Sequence, residues 1–471
     1  MRRFFKINFI NSITGMKKIA VIPVLFMIIS GILNAQGPAH DKSFYYSYGS
    51  PVFIEAHAMP SEYPDSVKIM VFMKVMNDVL AFKPMRTARA DEERFWAEFL
   101  VDVEFKDSIG IVRKRDAWKD TVIVNDFAKT NSKKDYHYGY VVENVPAGSV
   151  TVIAELLSHK GMQMKSERIE LKDNNDFLNS REISKPLFAY GSEGTYHPFV
   201  LDNNVSFTSK DSKVFMNFSF KKDPGTFYYR IKKVEPKKDV VGWNDSIYFD
   251  GVADITENAY FEVSPNSHND LITLQMKKDY NYSDAGDHGF KIGIMELDLH
   301  AEKLVPGDYR LDIFESGKQD TMKYLFKVIW EDIPLSLKNS VDYAIESTYY
   351  IMKQEDYDRI NEGSDREKFQ KLLQFWGDRD PTPNTPFNEK MAQYYKRVDY
   401  AYFNYKTISE KDGAKTDRGK IYILHGEPDK VEVKLENNKT REIWWYDNLK
   451  KEFIFEQVKT GVYKLININE I

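Results

Sequence analysis

From Tyr45 to about Trp330 the chain is a succession of short apolar runs broken by turn residues, with no convincing helical period among them. Val67–Val75, Val79–Phe82, Phe95–Phe105, Thr121–Val124 and Val150–Leu157 read as strands. Several alternate apolar and polar residues, as in Val101-Asp102-Val103-Glu104-Phe105, the spacing of a strand with one wet face. The pattern resumes after about Asn179 in Val214–Phe220, Phe227–Val234, Ile247–Phe249, Leu271–Met276 and Tyr309–Phe314. An internal echo links the two stretches. Val145-Pro146-Ala147-Gly148-Ser149-Val150 and Val305-Pro306-Gly307-Asp308-Tyr309 each place a Pro/Gly turn before a late strand, as a hairpin near the end of an immunoglobulin-like module does. Two tandem all-β immunoglobulin-like sandwiches are therefore expected, over residues 43–172 and 173–330. A single large β-domain is the alternative.

Beyond Trp330 the composition turns towards helices. Val341, Ile345, Tyr349 and Met352 recur at helical spacing, and Ser364-Asp365-Arg366-Glu367 reads as a capping box for a helix carrying Phe369, Leu372, Leu373 and Trp376. Three prolines hold the segment 380–386 extended. Thr385-Pro386 then reads as the cap of a longer helix bearing Phe387, Met391, Tyr394, Val398, Ala401 and Tyr405. After Gly413 the expectation is strands: Ile421–Leu424, Val431–Val433, Ile443–Tyr446, Phe453–Phe455 and Val462–Ile466, forming an antiparallel meander against those helices. Residues 331–471 are expected to form an α+β domain.

This last quarter also carries the most specific motifs: Phe375-Trp376-Gly377-Asp378-Arg379-Asp380-Pro381, Gly413-Ala414-Lys415-Thr416-Asp417-Arg418-Gly419, and Glu442-Ile443-Trp444-Trp445-Tyr446. Together they resemble the GWxTD domain, a module of exported proteins from Bacteroidetes and some other bacteria. The naming motif falls on Gly413 to Asp417, with Ala414 in place of the tryptophan. The resemblance implies an architecture and an extracytoplasmic location, and it brings no established molecular activity.

The amino-terminal residues agree with export. Met16-Lys17-Lys18 precedes an apolar run from Ile19 to Leu33 and the small residue Ala35, which reads as a signal peptide over residues 1–35, begun at either Met1 or Met16. That run is short for a membrane span, no later segment is apolar enough for one, and the periplasm is the expected location. Net charge is −5, with no basic block, so nucleic acid and anionic lipid are poor candidates for the main partner. With no cysteine, disulfides, thiolate metal sites, cysteine nucleophiles and a lipoprotein anchor are excluded.

Two polar clusters carry what chemistry there is. In the first, Asp378 and Asp380 flank Arg379 beside Trp376: a notch for acid/base work or binding, or equally a helix end in which Arg379 bonds free carbonyls and Asp380 fixes a turn. In the second, Asp412, Lys415, Thr416, Asp417 and Arg418 lie in the loop entering the expected strand Ile421–Leu424. Were the motif's tryptophan a stacking surface, Ala414 would weaken it; were it packing, Trp444 or Tyr422 would fill the gap. His425 reads as a solvated turn residue, since the nine histidines have no metal-ligand spacing. The loop with Asp279, Asp284, Asp287 and His288 offers calcium ligands, but its spacing fits no EF-hand and it reads as a solvated loop. Asp65-Ser66-Val67, Asp107-Ser108-Ile109, Asp120-Thr121-Val122, Asp245-Ser246-Ile247 and Asp320-Thr321-Met322 resemble an O-glycosylation sequon, or are ordinary turn-to-strand junctions.

No nucleophile elbow, P-loop or zinc-protease motif is present, and no metal or cofactor is expected. The first reading is a non-enzymatic cell-envelope protein that binds a protein or envelope component, with Trp376, Arg379, Lys415, Thr416, Arg418 and Trp444 as binding residues. The alternative is an envelope enzyme acting on glycan or peptide through Asp378, Asp380 and Asp417, which requires both clusters in one cleft.

Overall fold

The computed structural model describes residues 52–60, 66–85, 94–107, 109–132, 134–146, 148–158, 161–171, 184–220, 225–234, 247–265, 271–279, 291–436 and 439–471, all within one compact unit, Tyr45–Ile471. The expected signal peptide lies outside them, as do Asp284, Asp287 and His288 of the acidic loop. Among the described residues strands dominate, and apart from one short turn of helix the α-helices are confined to the C-terminal part.

The first region comprises β1 (Val52–Pro60), β2 (Ser66–Met76), β3 (Lys83–Met85), β4 (Arg94–Asp107), β5 (Val112–Val124), the one-turn helix α1 (Phe127–Thr130), β6 (Tyr136–Pro146), β7 (Gly148–Ser158) and β8 (Gly161–Leu171). Val79–Phe82 is not a strand as expected: a 3-10 turn at Asn77–Val79 redirects the chain there, with the Asn77 side chain donating to the Lys129 carbonyl. β1, β2 and β6 form one sheet, and β3, β4, β5, β7 and β8 another. Alternate residues of β4 (Ala97, Phe99, Val101, Val103, Phe105) pack with odd-numbered residues of β2 (Val67, Ile69, Val71, Met73, Val75) in one core.

The second region comprises β9 (Leu187–Ser192), β10 (Thr195–Pro198), β11 (Val205–Ser206), β12 (Ser212–Phe220), β13 (Phe227–Lys233), β14 (Ile247–Val252), β15 (Asp254–Glu257), β16 (Tyr260–Pro265), β17 (Ile272–Lys277), β18 (Lys291–Asp298), β19 (Gly307–Glu315) and β20 (Thr321–Ile329). A seven-stranded sheet, β15-β18-β12-β9-β10-β17-β16, faces a five-stranded one, β11-β20-β19-β13-β14. The two echo segments lead into comparable strands. β7 pairs with β8 and with the earlier β4; β19 pairs with β20 and with the earlier β13.

The two regions are not separate beads. Met70 and Phe72, on the even-numbered face of β2, pack with Phe53 of β1 and with Leu187, Ala189, Phe215 and Ile294 of the seven-stranded sheet. Four β-layers therefore stack, and the two inner ones are covered on both sides. That is why β2 reads as a continuous apolar run over Ile69-Met70-Val71-Phe72-Met73 rather than an alternating one. Burying both faces also buries two charged groups, and both are partnered. Glu55 of β1 accepts the backbone N–H groups of Leu201 (2.7 Å) and Asn203 (2.8 Å), in a segment where Val200, Asp202 and Asn203 all have left-handed backbone angles. Fully buried Lys74 of β2 pairs with Glu331 and lies 4.3 Å from the centre of the Tyr136 ring.

The C-terminal part comprises α2 (Leu335–Lys338), α3 (Val341–Ser347), α4 (Gln354–Ile360), α5 (Asp365–Gly377), α6 (Glu389–Asn404) and α7 (Asp417–His425), then β21 (Lys430–Glu436), β22 (Lys439–Tyr446), β23 (Lys451–Lys459) and β24 (Val462–Glu470) in an antiparallel meander of that order. Two expectations are corrected. Ile421–Leu424 is helical, within α7, and α6 is capped by Asn388, whose side chain accepts from Met391 N–H at 2.8 Å, instead of by Thr385-Pro386. The capping box of α5 forms as read: Glu367 accepts from the Ser364 N–H at 2.8 Å and its hydroxyl at 2.7 Å. Leu372, Trp376, Tyr395, Val398 and Ala401 of α5 and α6 share one core with the second β-region, whereas α7 and the meander enclose a smaller one of their own.

Candidate functional site

The segment Asp412–Gly419 is a corner joining α6, α7 and β24, and each of its residue types has a mechanical reason. A Cβ on Gly413 would lie 2.1 Å from the Ala401 carbonyl oxygen, so only glycine lets the corner seat against the end of α6. A Cβ on Gly419 would lie 2.0 Å from the Gly413 oxygen. Thr416, buried, caps α7: its hydroxyl donates to the Gly413 carbonyl (2.8 Å) and accepts from the Gly419 N–H (3.0 Å). Asp417 opens the helix, where a negative charge suits the dipole, and its carboxylate accepts the Leu465 N–H of β24 at 2.8 Å. The helix start was present in the sequence as Thr416-Asp417. Thr416 and Asp417 also fit a turn, and the β-branched and aromatic run Ile421-Tyr422-Ile423 after them points to a strand.

Ala414 is buried in the large core, and its carbonyl accepts the Tyr350 hydroxyl at 3.0 Å. Trp444 and Tyr422, the neighbours expected to fill the missing tryptophan's place, belong to the smaller core instead. His425 is not a solvated turn residue. It ends α7 with its ring against Tyr446 and Phe453, and burial, with the charges of Arg397 and Lys451, pushes its pKa down.

Lys415 pairs with Glu346 of α3 at 2.7 Å. Arg418 pairs with Glu442 of β22 at 3.0 Å and lies 4.2 Å from the centre of the Tyr463 ring; Glu442 also accepts the indole N–H of buried Trp444 at 2.6 Å. In the first cluster, Trp376 is buried, with its carbonyl bonded by the Asn388 side chain at 2.8 Å. Arg379 donates to the Phe375 carbonyl (2.8 Å) over the Phe375 ring, and Asp380 accepts the Thr382 N–H (2.8 Å) at the proline segment. Asp378 is exposed just beyond the end of α5.

Residues 313–468 match the family described as the GWxTD domain. This chain contains a GWxTD domain. The match begins within β19, so it takes in β20 of the five-stranded sheet along with the helices and the meander. No curated protein matches the chain. A solved structure titled BspA_C_WT is similar at 9% identity, over 58% of this chain and 99% of that one, with a TM-score of 0.14.

Among the described residues of the GWxTD domain, the hydrogen bonds of the first cluster involve Phe375, Thr382 and Asn388, and those of the second involve Gly413, Gly419, Glu442 and Leu465. Among the described residues, no group of three or more His, Asp or Glu is placed to hold a metal ion, and no helix is long and apolar enough to cross a membrane. The domain's open groove, of about 380 Å³, lies elsewhere. One face of α6 (Glu389, Gln393, Lys396, Arg397, Tyr400) forms its floor, with Phe387 and Tyr422 at the sides. Tyr400 and Tyr422 stack at 4.3 Å, and Arg397 reaches the Leu424 carbonyl. None of the catalytic or binding residues expected from sequence lines this groove. The signal that points to it is the stripe Glu389, Gln393, Lys396, Tyr400 opposite the helix's mainly apolar buried face.

Proposed function

We propose that this is an exported, non-enzymatic protein of the bacterial cell envelope, in which two immunoglobulin-like sandwich modules carry a GWxTD domain that binds a protein partner through the groove on α6. One observation carries the reading. Two of the three acids that chemistry would need are engaged in scaffolding, with Asp380 fixing a turn and Asp417 tying α7 to β24, and the third, Asp378, stands exposed apart from them, while the groove offers stacked tyrosines, an amide and cationic side chains on one helix. Aromatic and arginine side chains on a preformed surface are the usual anchors of protein recognition. Periplasmic residence rests on the apolar segment Ile19–Leu33 and its flanks.

The test is site-specific photocrosslinking in the native host, with the photoreactive residue at Gln393 in the groove or at Glu193 in an exposed turn of the second β-region. A discrete envelope protein joined from Gln393 alone, and lost with Tyr400→Ala, is the expected result. Equal products from both positions, or hydrolysis of cell-wall glycan or peptide by the purified chain, would overturn the reading.

A further inference from the structure

Among the described residues, β21 is an edge strand of the meander, hydrogen-bonded within its sheet to β22 alone. Its residues Val431, Val433 and Leu435 lie opposite Trp444, Glu442 and Thr440 and so extend the face that α7 covers, but beyond the helix's reach. They are 48%, 63% and 74% exposed. Three apolar residues in a row on an unpaired edge are what a soluble protein avoids unless something pairs with that edge.

The charge pattern says what pairs. Consider a second β21 laid antiparallel to the first, with Val433 opposite Val433. Directly opposed residues share a face, so Val431 meets Leu435 twice on the apolar side. On the other side Glu432 meets Lys434 twice. In the single chain these two side chains have only weak exposed pairings, with Lys434 3.5 Å and Lys430 3.7 Å from Glu432. The strand is thus complementary to itself in both hydrophobicity and charge. A shift of one residue would put valines opposite charged residues and remove both matches.

We infer that β21 pairs antiparallel with β21 of a second copy of this chain, joining two meanders into one continuous eight-stranded sheet about a two-fold axis at Val433. The contact is isologous and closes on itself. No residue of β21 lines the α6 groove, and the contact does not depend on what that groove binds.

Sedimentation velocity on the full chain over a wide concentration range tests this. The expected result is a monomer–dimer equilibrium in the wild type. Glu432→Lys sets a new lysine against Lys434 of the other copy, and Lys434→Glu sets a new glutamate against Glu432, so each variant alone is expected to dimerise about tenfold more weakly. The double exchange E432K/K434E restores opposed charges and returns the association to the wild-type level, and an equimolar mixture of the two single variants forms heterodimers. Both side chains are exposed, and unchanged circular dichroism and thermal midpoint confirm that the variants fold. A wild type that stays monomeric, open-ended polymers, single variants that dimerise normally, or a double exchange that fails to restore association would each overturn the inference.

Discussion

β2 and β21 are both apolar strands of antiparallel sheets, and they sit at opposite extremes of cover. In β2 every residue from Ile69 to Met76 is buried, because one sheet lies against its odd-numbered side chains and another against its even-numbered ones. In β21, Val431, Val433 and Leu435 continue a face that the helices cover only further in. The same residue type therefore means different things in the two strands. In β2 a valine is cohesion between layers; in β21 it is surface awaiting a partner. Polar residues follow the same division. Lys74 and Glu55 face the inner interface and must be paired there, whereas Glu432 and Lys434 remain in water, where their pairings are worth little.

The most severe break in the covered region is at Glu55. Burial alone would raise its carboxyl pKa, but the hydrogen bond and charge of His57 and the Asn203 N–H outweigh that and hold it below the ordinary value of 4.5. Glu55→Ala leaves two N–H groups without their acceptor beside the left-handed residues Val200, Asp202 and Asn203. We expect about 3 kcal/mol of lost stability by urea denaturation. Because the folded pKa is depressed, this contribution is complete above the unfolded carboxyl's pKa and is lost as pH falls through the folded one. Glu55→Gln should flatten the stability profile below about pH 4.5. A variant as stable as the wild type at pH 7, or an unchanged acid limb, would mean the layers hold together without this latch.

Next in size is the corner of the GWxTD domain. Gly413→Ala places a methyl group 2.1 Å from the Ala401 oxygen, and the expected loss is about 2 kcal/mol, seen as a lower urea midpoint with an unchanged slope. Thr416→Ala removes the α7 cap and should lower stability by about 1 kcal/mol, whereas Thr416→Ser, which keeps the hydroxyl, should lose only a fraction of that. Should Thr416→Ala prove larger than Gly413→Ala, the corner would be held by its hydrogen bonds more than by its close packing.

These sites also mark how far the sequence could be read. Val67–Val75 announced a strand, but its two-sided burial depends on β9, β12 and β18, more than a hundred residues away, and no local pattern encodes that. The box Ser364–Glu367 is local chemistry between residues three apart, and it was legible. Ile421–Leu424 reads as a strand because propensity favours strands for such residues. The cap at Thr416 and the glycine contact at Gly419 decide otherwise, and the latter depends on Gly413 being folded back against α6. The polar clusters are found by residue type, and Arg379, Asp380 and Thr416 bond backbone groups within four residues, but the partners of Lys415, Asp417 and Arg418 (Glu346, Leu465 and Glu442) lie on distant elements. The groove went unnoticed because its stripe lies on a helix that otherwise reads as core.

The smallest effect is the most direct check on the contrast between the two strands. Valine to threonine keeps the shape and the β-branch and adds a hydroxyl, so its consequence depends on whether water or a partner reaches the site. At Val71 of β2, fully buried between layers, the hydroxyl is desolvated, and Val71→Thr should lower stability by about 2 kcal/mol. At Val433 of β21 the same change meets solvent. Measured by urea denaturation at a concentration low enough to keep the chain monomeric, Val433→Thr should fall within about 0.5 kcal/mol of the wild type. A clear loss there under dilute conditions would place a covering group over β21 within the same chain. The strand would then be a second inner layer, and the division between covered and uncovered apolar strands would fail.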